Sequence, residues 1–349
     1  METKYGVIFT HKEQFHRLEN DWRRLETGKD MTYFQLYDWY KMLIGLQQKD
    51  NWAHEIVFCS VIDGYGNTIM IAPLWIVKKF FGKREKKGVY LFGRRGWNDY
   101  CNFIYNSFCG EALMALFKAI KKNYNISRYV FENLIVNTSL YNFLRDKYTL
   151  INVKKQINVA VNLPEDKDSY LKLLSKHSKQ NIRTAQNRAL KDGIEYVIIE
   201  DDTSMSVEEF QHYREIRVDK KNKLTHGNLW HQIRNRLSLI VRYRFPKYTP
   251  MENDKNCHYL SCRTISKELM GAFCYGIDLY RKEIFIMAVS LNIKYQRYSP
   301  CILAAYQYIV SHLEDPEIRA VNFTRGNEKY KYVLGGTNHY SNSFEIDYV

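Results

Sequence analysis

The feature that most constrains the fold is an order of secondary-structure elements that the chain follows twice. In the first half, strands are predicted at 55–63, 68–77 and 88–92, then a helix at 111–123, a strand at 128–134, a short helix at 139–145 and a strand at 149–163. In the second half, strands are predicted at 258–264, 269–280 and 283–290, then a helix at 300–313, a strand at 318–323, a short helix at 328–333 and a strand at 340–348. Only the order of elements repeats, because no repeat of individual residues is visible. The pattern indicates an α/β (α+β) fold of two lobes, each a mixed, mostly antiparallel sheet flanked by helices.

The boundary between the lobes is predicted at the segment NLPE, residues 162–165, which separates a strand from the next helix. A chain of 349 residues accommodates two domains of ordinary size. We therefore predict an N-terminal lobe at 1–163 and a C-terminal lobe at 164–349. Further helices are predicted at 13–26, 33–46 and 229–244, and a helix or helical pair at 168–192. Another helix opens at Ser206, where Glu209 has the spacing of a capping box.

Charge and cysteine usage narrow the class of protein. Lys and Arg number 52 against 38 Asp and Glu, which gives a net charge of +14 and favours anionic partners such as nucleic acid, anionic lipid or phosphorylated small molecules. The seven cysteines are scattered and contain no CxxC, which predicts reduced thiols in a cytosol and no disulfide framework. The N-terminal residues do not resemble a signal peptide, and no apolar run reaches 18 residues. These observations predict a cytoplasmic protein.

One candidate site opens the helix at residue 300. Residues 295–301, YQRYSPC, lead from an apolar strand into an amphipathic helix whose first turn contains Pro300. A helix start presents free backbone N–H groups and the positive end of the helix dipole, and this combination binds phosphate. Lys294 and Arg297 add positive charge beside it. The same residues also fit the ordinary strand-to-helix turn of any α/β protein.

A second candidate site follows the next strand directly. Residues 322–331, NFTRGNEKYK, place a guanidinium group, a glycine, a carboxylate, a phenol and two amines at a strand end. Strand ends are where open sheets bind ligands. A charged surface turn would have the same composition.

Two further segments carry polar groups in a pattern of interest. Residues 174–183, LSKHSKQNIR, form a basic helix with Asn181 and Arg183 two residues apart, which is also typical of a solvated helix face. Residues 97–100, WNDY, place a carboxylate beside aromatic rings at a strand start. Such a carboxylate can orient a substrate amine, and it can equally cap a turn.

Taken in order, the four segments resemble the motifs of the CelD/BcsL-like branch of the GNAT acyltransferase superfamily, which is related to the FemABX peptidyltransferases. The matching residues are Asp99-Tyr100, then Leu174-Ser175-Lys176 with Asn181 and Arg183, then Tyr298-Ser299-Pro300, then Phe323, Arg325, Gly326, Glu328, Tyr330 and Lys331. The resemblance extends from about residue 20 to the C-terminus. Two positions depart from it, because Cys301 replaces the usual Gly and Asn322 the usual Asp. Cys301 could narrow the donor site, could be a reactive thiol at a helix start, or could be a small side chain tolerated at a crowded turn.

The resemblance implies tandem GNAT-like lobes and transfer of an acyl group from acyl-CoA to an amine, with no metal. The C-terminal lobe would bind the donor and carry the chemistry, and the N-terminal lobe would form the acceptor side or a scaffold. Donor binding is assigned to Arg297, Tyr298, Ser299, Pro300, Cys301 and Ile302, with the backbone of 298–302 around the pyrophosphate. Substrate binding is assigned to Tyr100, Lys176, Asn181, Arg183 and Arg325. The catalytic candidates are Glu328 or Asp99 as the base, Tyr330 or Tyr298 as the proton donor to the thiolate, and Lys331, which with Arg325 would hold an anionic part of the substrate.

The acceptor and two rival functions stay open. The branch is linked with polysaccharide and envelope metabolism, so an amino sugar or sugar nucleotide is one expected acceptor. The first rival is an aminoacyl-tRNA-dependent transferase of FemABX type, which the basic surface fits, although 168–192 has too little heptad pattern for the coiled-coil hairpin common in that class. The second rival is a basic nucleic-acid-binding protein without enzymatic activity. The spacing of His258 between Cys257 and Cys262 matches no familiar zinc site.

Overall fold

The computed structural model describes residues 4–46, 54–78, 86–93, 98–225 and 257–348. For residues 46 and 218–225 the description covers the backbone only. The predicted helix at 229–244 and Trp97 lie outside these residues. The strands are β1 Gly6–His11, β2 His54–Ile62, β3 Thr68–Val77, β4 Gly88–Leu91, β5 Arg128–Ile135, β6 Ile151–Asn162, β7 Tyr196–Ile199, β8 Cys257–Thr264, β9 Leu269–Asp278, β10 Glu283–Leu291, β11 Ala320–Arg325 and β12 Thr337–Asp347. The helices are α1 Glu19–Leu25, α2 Tyr37–Leu46, α3 Gly110–Tyr124, α4 Ser139–Lys147, α5 Lys167–Leu173, α6 Lys176–Lys191, α7 Val207–Thr225, α8 Pro300–Ser311 and α9 Lys329–Val333.

The chain divides into two compact units, and each has the predicted order of elements. Unit 1 comprises Met1–Asn158 and His339–Val349, and unit 2 comprises Val159–Asn338. In unit 1, β2, β3 and β4 form an antiparallel meander, α3 follows, and β5 then pairs in parallel with β4. In unit 2, β8, β9 and β10 form the meander, α8 follows, and β11 pairs in parallel with β10. The two lobes predicted from the sequence pattern therefore have the same construction.

The last strand corrects the predicted boundary. The sequence placed all of 164–349 in one lobe, but His339–Val349 belongs to unit 1. The physical reason is that β12 pairs antiparallel with β5, from Ser341 opposite Ile135 to Asp347 opposite Arg128. The order of elements does not predict that β12 pairs with β5, because the residue pattern of a strand does not indicate which distant strand it pairs with.

The core of unit 1 is aromatic, and two of its buried indole groups are hydrogen-bonded. Trp22 and Trp39 are both buried, and their indole N–H groups donate to the Gln35 carbonyl at 2.8 Å and to Asn98 Oδ1 at 2.7 Å. The Trp22 ring contacts Tyr40 at 4.9 Å between centroids. Burying large rings while satisfying their donors stabilises a core of this kind.

Local differences from the predicted elements have local causes. The predicted helix at 13–26 begins as a 3₁₀ helix over Lys12–Leu18 and becomes α-helical only at α1. Ser206 Oγ accepts from the Glu209 backbone N–H at 3.0 Å, which is one half of the predicted capping box. The Glu209 carboxylate instead pairs with the buried Arg263 at 2.7 Å, and Arg263 also binds Asp202 at 2.7 Å. Leaving the buried Arg263 guanidinium group without its two carboxylates would cost more free energy than leaving the helix start without a second cap.

A histidine at the end of α8 is expected to make stability depend on pH. His312 Nε2 lies 3.0 Å from the Glu200 carboxylate, and this hydrogen bond raises the pKa of His312. The stabilisation is therefore complete below the unfolded pKa of about 6.5 and is lost as the pH rises through the raised folded pKa. We expect the wild type to lose up to about 1 kcal/mol of unfolding free energy over this range relative to His312→Gln. Urea denaturation from pH 5.5 to 8.5 measures the difference, and parallel pH profiles for the two proteins would contradict it.

Two kinds of feature are absent from the described residues. No helix in those ranges is both long and apolar enough to cross a bilayer. The same residues hold no group of three or more His, Cys, Asp or Glu side chains arranged to bind a metal ion.

Candidate functional site

Strands β10 and β11 of unit 2 are paired over only their first residues. The parallel ladder joins Glu283–Phe285 to Ala320–Asn322. Beyond it β10 continues to Leu291, with a β-bulge between Ile286 and Ala288. Bulges re-aim a strand and interrupt its pairing, and they are over-represented next to active sites.

The hydrogen bonds of Thr324, near the end of β11, indicate where β10 and β11 separate. Thr324 Oγ1 donates to the Ile286 carbonyl at 3.1 Å, and the Thr324 backbone N–H is taken by Asn322 Oδ1 at 2.9 Å. Thr324 also has a φ of +53°, a left-handed conformation that is strained for a β-branched residue. We use the name strand gap for the opening between residues 287–291 of β10 and residues 323–325 of β11.

The backbone of β10 is open toward the strand gap. In the antiparallel ladder with β9, the Asn292 N–H donates to the Met270 carbonyl at 3.1 Å. Because hydrogen-bonded and non-hydrogen-bonded positions alternate, the N–H and C=O groups of Val289 and Leu291 point away from β9. In agreement, the Val289 carbonyl accepts from Arg217 Nη1 of α7 at 3.2 Å.

The start of α8 lies at the end of the same strand. Ser299 precedes the helix with a φ of +51°, Pro300 is its first residue, and the Ser299 side chain makes no cap. Pro300 has no N–H, and the N–H groups of Ile302 and Leu303 donate to the Ser299 carbonyl at 2.9 Å and 3.2 Å. This end of α8 can therefore bind an anion through the Cys301 N–H and the positive end of the helix dipole. The predicted strand-to-helix turn is therefore present, with a backbone conformation that L-residues seldom adopt.

Cys301 points into the unit and away from the helix start. Its thiol lies 3.5 Å from the Ser290 carbonyl, and burial raises the pKa of Cys301 to about 12. A raised pKa argues against the reactive-thiol interpretation, because reactivity requires the thiolate. The side chain fits because Gly271 on β9 leaves space for it. Cys301 could contribute only backbone atoms to donor binding.

The fit between Gly271 and Cys301 predicts a destabilising substitution. A Cβ atom at Gly271 would lie 2.8 Å from Cys301 Sγ and 3.2 Å from Pro300 Cγ. Gly271→Ala is expected to lower the unfolding free energy by about 1–3 kcal/mol, because a packed core resists added volume. Chemical denaturation measures the loss. The double variant Gly271→Ala, Cys301→Ala should recover part of it, and equal losses in the single and double variants would contradict the explanation.

The two predicted donor-binding side chains before the helix anchor the turn to α6. Arg297 Nη2 lies 3.1 Å from Asp192 Oδ2, and the Tyr298 hydroxyl donates to the same oxygen at 2.8 Å. The hydrogen bond to Asp192 raises the pKa of Tyr298. Arg188 Nη1 donates to the Arg297 carbonyl at 3.3 Å. Of the two candidate proton donors, Tyr298 therefore already donates its hydroxyl hydrogen bond to a carboxylate.

Residues 324–331 form a loop organised around the Lys331 ammonium group. Lys331 is buried, and Nζ donates to the carbonyl oxygens of Thr324 at 3.4 Å, Arg325 at 2.7 Å and Gly326 at 3.1 Å. The Glu328 carboxylate lies 3.0 Å from the same nitrogen. Gly326 has a φ of +104°, and a Cβ there would lie 2.4 Å from Glu328 Oε2, so this position requires glycine. The arrangement gives a structural reason for the Gly, Glu and Lys of the sequence motif.

Tyr330 stands beside the strand gap. Its ring packs between Phe273 of β9 and Phe323 of β11, at 6.2 Å and 5.8 Å between centroids. Burial raises the pKa of Tyr330, and the positive charge of Arg217 acts in the opposite direction. The same guanidinium group acts on the Cys301 thiol. Arg217 therefore lies near both Tyr330 and Cys301.

The predicted residues of α6 divide between its two faces. Ser175 caps the helix by accepting from the Ser178 N–H at 3.0 Å, which explains the Leu-Ser-Lys part of the motif. Lys176 and Arg183 are exposed, and Asn181 is half-buried. The helix packs against α8, α9 and the turn over 293–298. Through these contacts α6 positions the elements that form the site.

Asp99 and Tyr100 belong to unit 1. Tyr100 is buried, its carbonyl accepts from Gln35 Nε2 at 3.0 Å, and its ring contacts Phe34. Asp99 is half-buried. The structure therefore brings together the predicted residues of unit 2, and the prediction that Asp99 and Tyr100 line the same cleft stays a prediction.

The equivalent helix start in unit 1 is covered by an aromatic ring. A Cβ at Gly110, the first residue of α3, would lie 2.3 Å from the Phe143 ring, which also contacts Phe108 at 5.4 Å between centroids. Unit 1 does hold a polar cleft of about 510 Å³, where Asp30 Oδ2 accepts from the Tyr105 hydroxyl at 3.0 Å and the Ser139 N–H at 2.8 Å. The two units have thus diverged at the position of the α8 start.

Sequence reasoning missed Arg217 and the strand gap. Arg217 lies in a helix with charged residues on several faces, so no periodic pattern singled it out. One sequence signal was available, because the spacing of Arg214 and Arg217 places both side chains on one face of α7.

Solved structures share this fold across the whole chain. FemX aligns with a TM-score of 0.60 at 10% identity, over 98% of this chain and 97% of that chain. L-PGS from Bacillus licheniformis aligns with a TM-score of 0.52 at 11% identity, over 95% and 91%. The C-terminal domain (DUF2156) of a putative lysylphosphatidylglycerol synthetase from Agrobacterium fabrum aligns with a TM-score of 0.53 at 11% identity, over 95% and 92%. No protein-family model and no curated protein matches the chain. The predicted fold class, tandem GNAT-like lobes of mixed, mostly antiparallel sheet, is confirmed.

Proposed function

We propose that the protein is a GNAT-type N-acyltransferase that moves an acyl group from acyl-CoA to an amine, with the donor bound in unit 2. The observation that carries the proposal is the strand gap beside the start of α8. The donor's pantetheine arm contains two amide groups, which can hydrogen-bond to the Val289 N–H and the Leu291 backbone as an added strand does, since the Val289 carbonyl already accepts from Arg217. Its pyrophosphate would lie at the first turn of α8, within reach of the Cys301 backbone N–H and the positive end of the helix dipole.

Transfer requires positioning and two proton movements. Held beside the thioester, the amine attacks the carbonyl carbon, and proximity lowers the barrier. The Val289 N–H, which points into the strand gap, would stabilise the oxyanion. Tyr330 would protonate the departing thiolate, and Glu328 or Asp99 would accept the proton from the ammonium group. Lys331 would act by shaping the loop that carries Arg325, and Arg325 would hold an anionic group of the acceptor.

The acceptor class follows from charge and from the motif resemblance. The net charge of +14 favours a phosphorylated or nucleotide-linked amine. The CelD/BcsL-like motifs favour an amino sugar or sugar nucleotide of polysaccharide or envelope metabolism. The resemblance implies that the N-terminal lobe forms the acceptor side or a scaffold, with Tyr100 as a predicted substrate contact.

A second candidate, an aminoacyl-tRNA-dependent transferase of FemABX type, is favoured by one observation. The outer face of α6 carries exposed Lys176, Lys179 and Arg183, and the sequence from Lys176 to Lys191 contains no acidic residue. Cations at this spacing suit a phosphate backbone, and binding through them would weaken steeply with salt.

Release of the coenzyme A thiol tests the proposed function. The protein is incubated with acetyl-CoA or longer acyl-CoAs and a panel of amino sugars, sugar nucleotides and amino acids, and free thiol is measured with a chromogenic disulfide. Amine-dependent thiol release is expected for at least one pair. Its absence for every pair, together with transfer from charged tRNA, would replace the first candidate by the second.

A negative charge at the start of α8 is expected to weaken donor binding more than the same charge farther along the helix. Ile302→Glu places a carboxylate in the first turn of α8 and is expected to weaken acyl-CoA binding at least about tenfold through repulsion of the pyrophosphate. Gln307→Glu makes the same change of charge at an exposed position of the same helix and serves as the control. Equal affinities for the two variants, measured by calorimetry, would place the pyrophosphate elsewhere.

A further inference from the structure

Two cysteines of the central meander in unit 2 lie against each other. Cys257 is the first residue of β8, and Cys274 lies on β9, where the ladder sets Cys257 opposite Gly276 and Tyr259 opposite Cys274. Cys257 and Cys274 are therefore diagonal neighbours on the same face of the sheet. Their sulfur atoms are 2.8 Å apart, which is roughly 0.8 Å longer than a covalent sulfur–sulfur bond of about 2.05 Å.

A half-buried cation on α7 lies near this pair. Both thiols pack on the face of the sheet that α7 covers, together with Tyr259 and Met287. Burial lowers the pKa of Arg214 on α7, and the neighbouring Cys274 acts in the opposite direction. A cation beside a thiol stabilises the thiolate, which is the form that attacks a disulfide.

One of the two thiols can be reached from outside. Cys257 is half-buried, and the ladder with the outer strand β7 covers Ser261–Thr264, at the other end of β8. Cys274 is buried. The pair therefore combines an accessible thiol with a protected one, an arrangement in which the first reacts with an oxidant and the second resolves the product.

We propose that Cys257 and Cys274 are a redox-active pair that a small-molecule disulfide oxidises to an intrachain disulfide. The Cys257 thiolate attacks one sulfur of the oxidant, forms a mixed disulfide and releases one thiol of the oxidant. The Cys274 thiolate then attacks the Cys257 sulfur and releases the second thiol. Two protein thiols become one disulfide, one disulfide of the oxidant becomes two thiols, and the two protons pass to those thiols. This proposal is independent of the transfer activity.

Oxidised glutathione is the probe, and the full chain is used. After incubation and alkylation of the remaining thiols, peptide mass spectrometry is expected to find a peptide that links Cys257 to Cys274, with two of the seven thiols lost. The order of reaction predicts different behaviour for two single variants. Cys274→Ser should accumulate a glutathione adduct on Cys257, because the resolving thiol is gone. Cys257→Ser should leave Cys274 reduced.

Cys109→Ser provides a matched control, since Cys109 is also half-buried and bonds the Tyr5 hydroxyl instead of a second thiol. It should form the linked peptide at the rate of the wild type. The proposal is overturned if the linked peptide is absent from the oxidised wild type, or if Cys274→Ser carries no adduct on Cys257. Circular dichroism of each variant shows whether a loss of reaction reflects a loss of fold.

Discussion

Replacing Lys331 by methionine is expected to lower the free energy of unfolding by about 3–5 kcal/mol. Methionine keeps much of the length of the side chain but has no donors, so the carbonyl oxygens of Thr324, Arg325 and Gly326 lose the ammonium group that holds them together. The Glu328 carboxylate loses its cation as well. Thermal and urea denaturation measure the loss. The loop that carries Tyr330 should loosen at the same time, so activity should fall with stability.

Lys329→Met is the matched control, because Lys329 lies on the same short helix with an exposed side chain. It is expected to change stability by less than about 0.5 kcal/mol. A Lys331→Met protein that is as stable as the wild type but inactive would contradict the structural role. That result would support the direct substrate contact that the motif resemblance implies for Lys331.

Tyr330→Phe is expected to reduce kcat by about 100-fold or more while donor binding changes little. The substitution keeps the ring between Phe273 and Phe323 and removes only the hydroxyl proposed to protonate the leaving thiolate. Loss of a group used only in the transition state lowers kcat and kcat/KM together. Steady-state kinetics on the acyl-CoA and amine pair found by thiol release provide the measurement.

Tyr332→Phe separates the chemical effect from a general effect on α9. The Tyr332 hydroxyl donates to Asn338 Oδ1 at 2.7 Å at an exposed position, and its loss should leave kcat within about twofold of the wild type. If Tyr330→Phe and Tyr332→Phe have equal rates, Tyr330 is not the proton donor. In that case a water molecule or the solvent protonates the thiolate.

Much of the fold could be predicted because local patterns determine it. The apolar spacing of α8, Pro300 at its start and the turn residues of the meanders are all read within a few positions. The split of 168–192 into α5 and α6 follows from Ser175, a good N-cap that interrupts the helix. The return of β12 to unit 1 could not be predicted, since it depends on pairing with β5, some 200 residues earlier in the chain.

The candidate site could be predicted in part. The start of α8 and the loop at 324–331 were found because their residues are contiguous in the sequence. The strand gap depends on a bulge in β10 and on the backbone of Thr324, which no composition reveals. Arg217 reaches the gap from another helix, so only the folded chain brings it there. The inward orientation of Cys301 likewise depends on Gly271, 30 residues away and on a neighbouring strand.

The most direct test of the central claim is calorimetric titration of the purified protein with acetyl-CoA and longer acyl-CoAs at low and moderate salt. The proposed function predicts saturable binding that persists at moderate salt, is weakened by Ile302→Glu and is retained by Gln307→Glu. Absence of binding to every acyl-CoA would contradict an acyl-CoA donor at the strand gap, and charged tRNA would then be the donor to titrate.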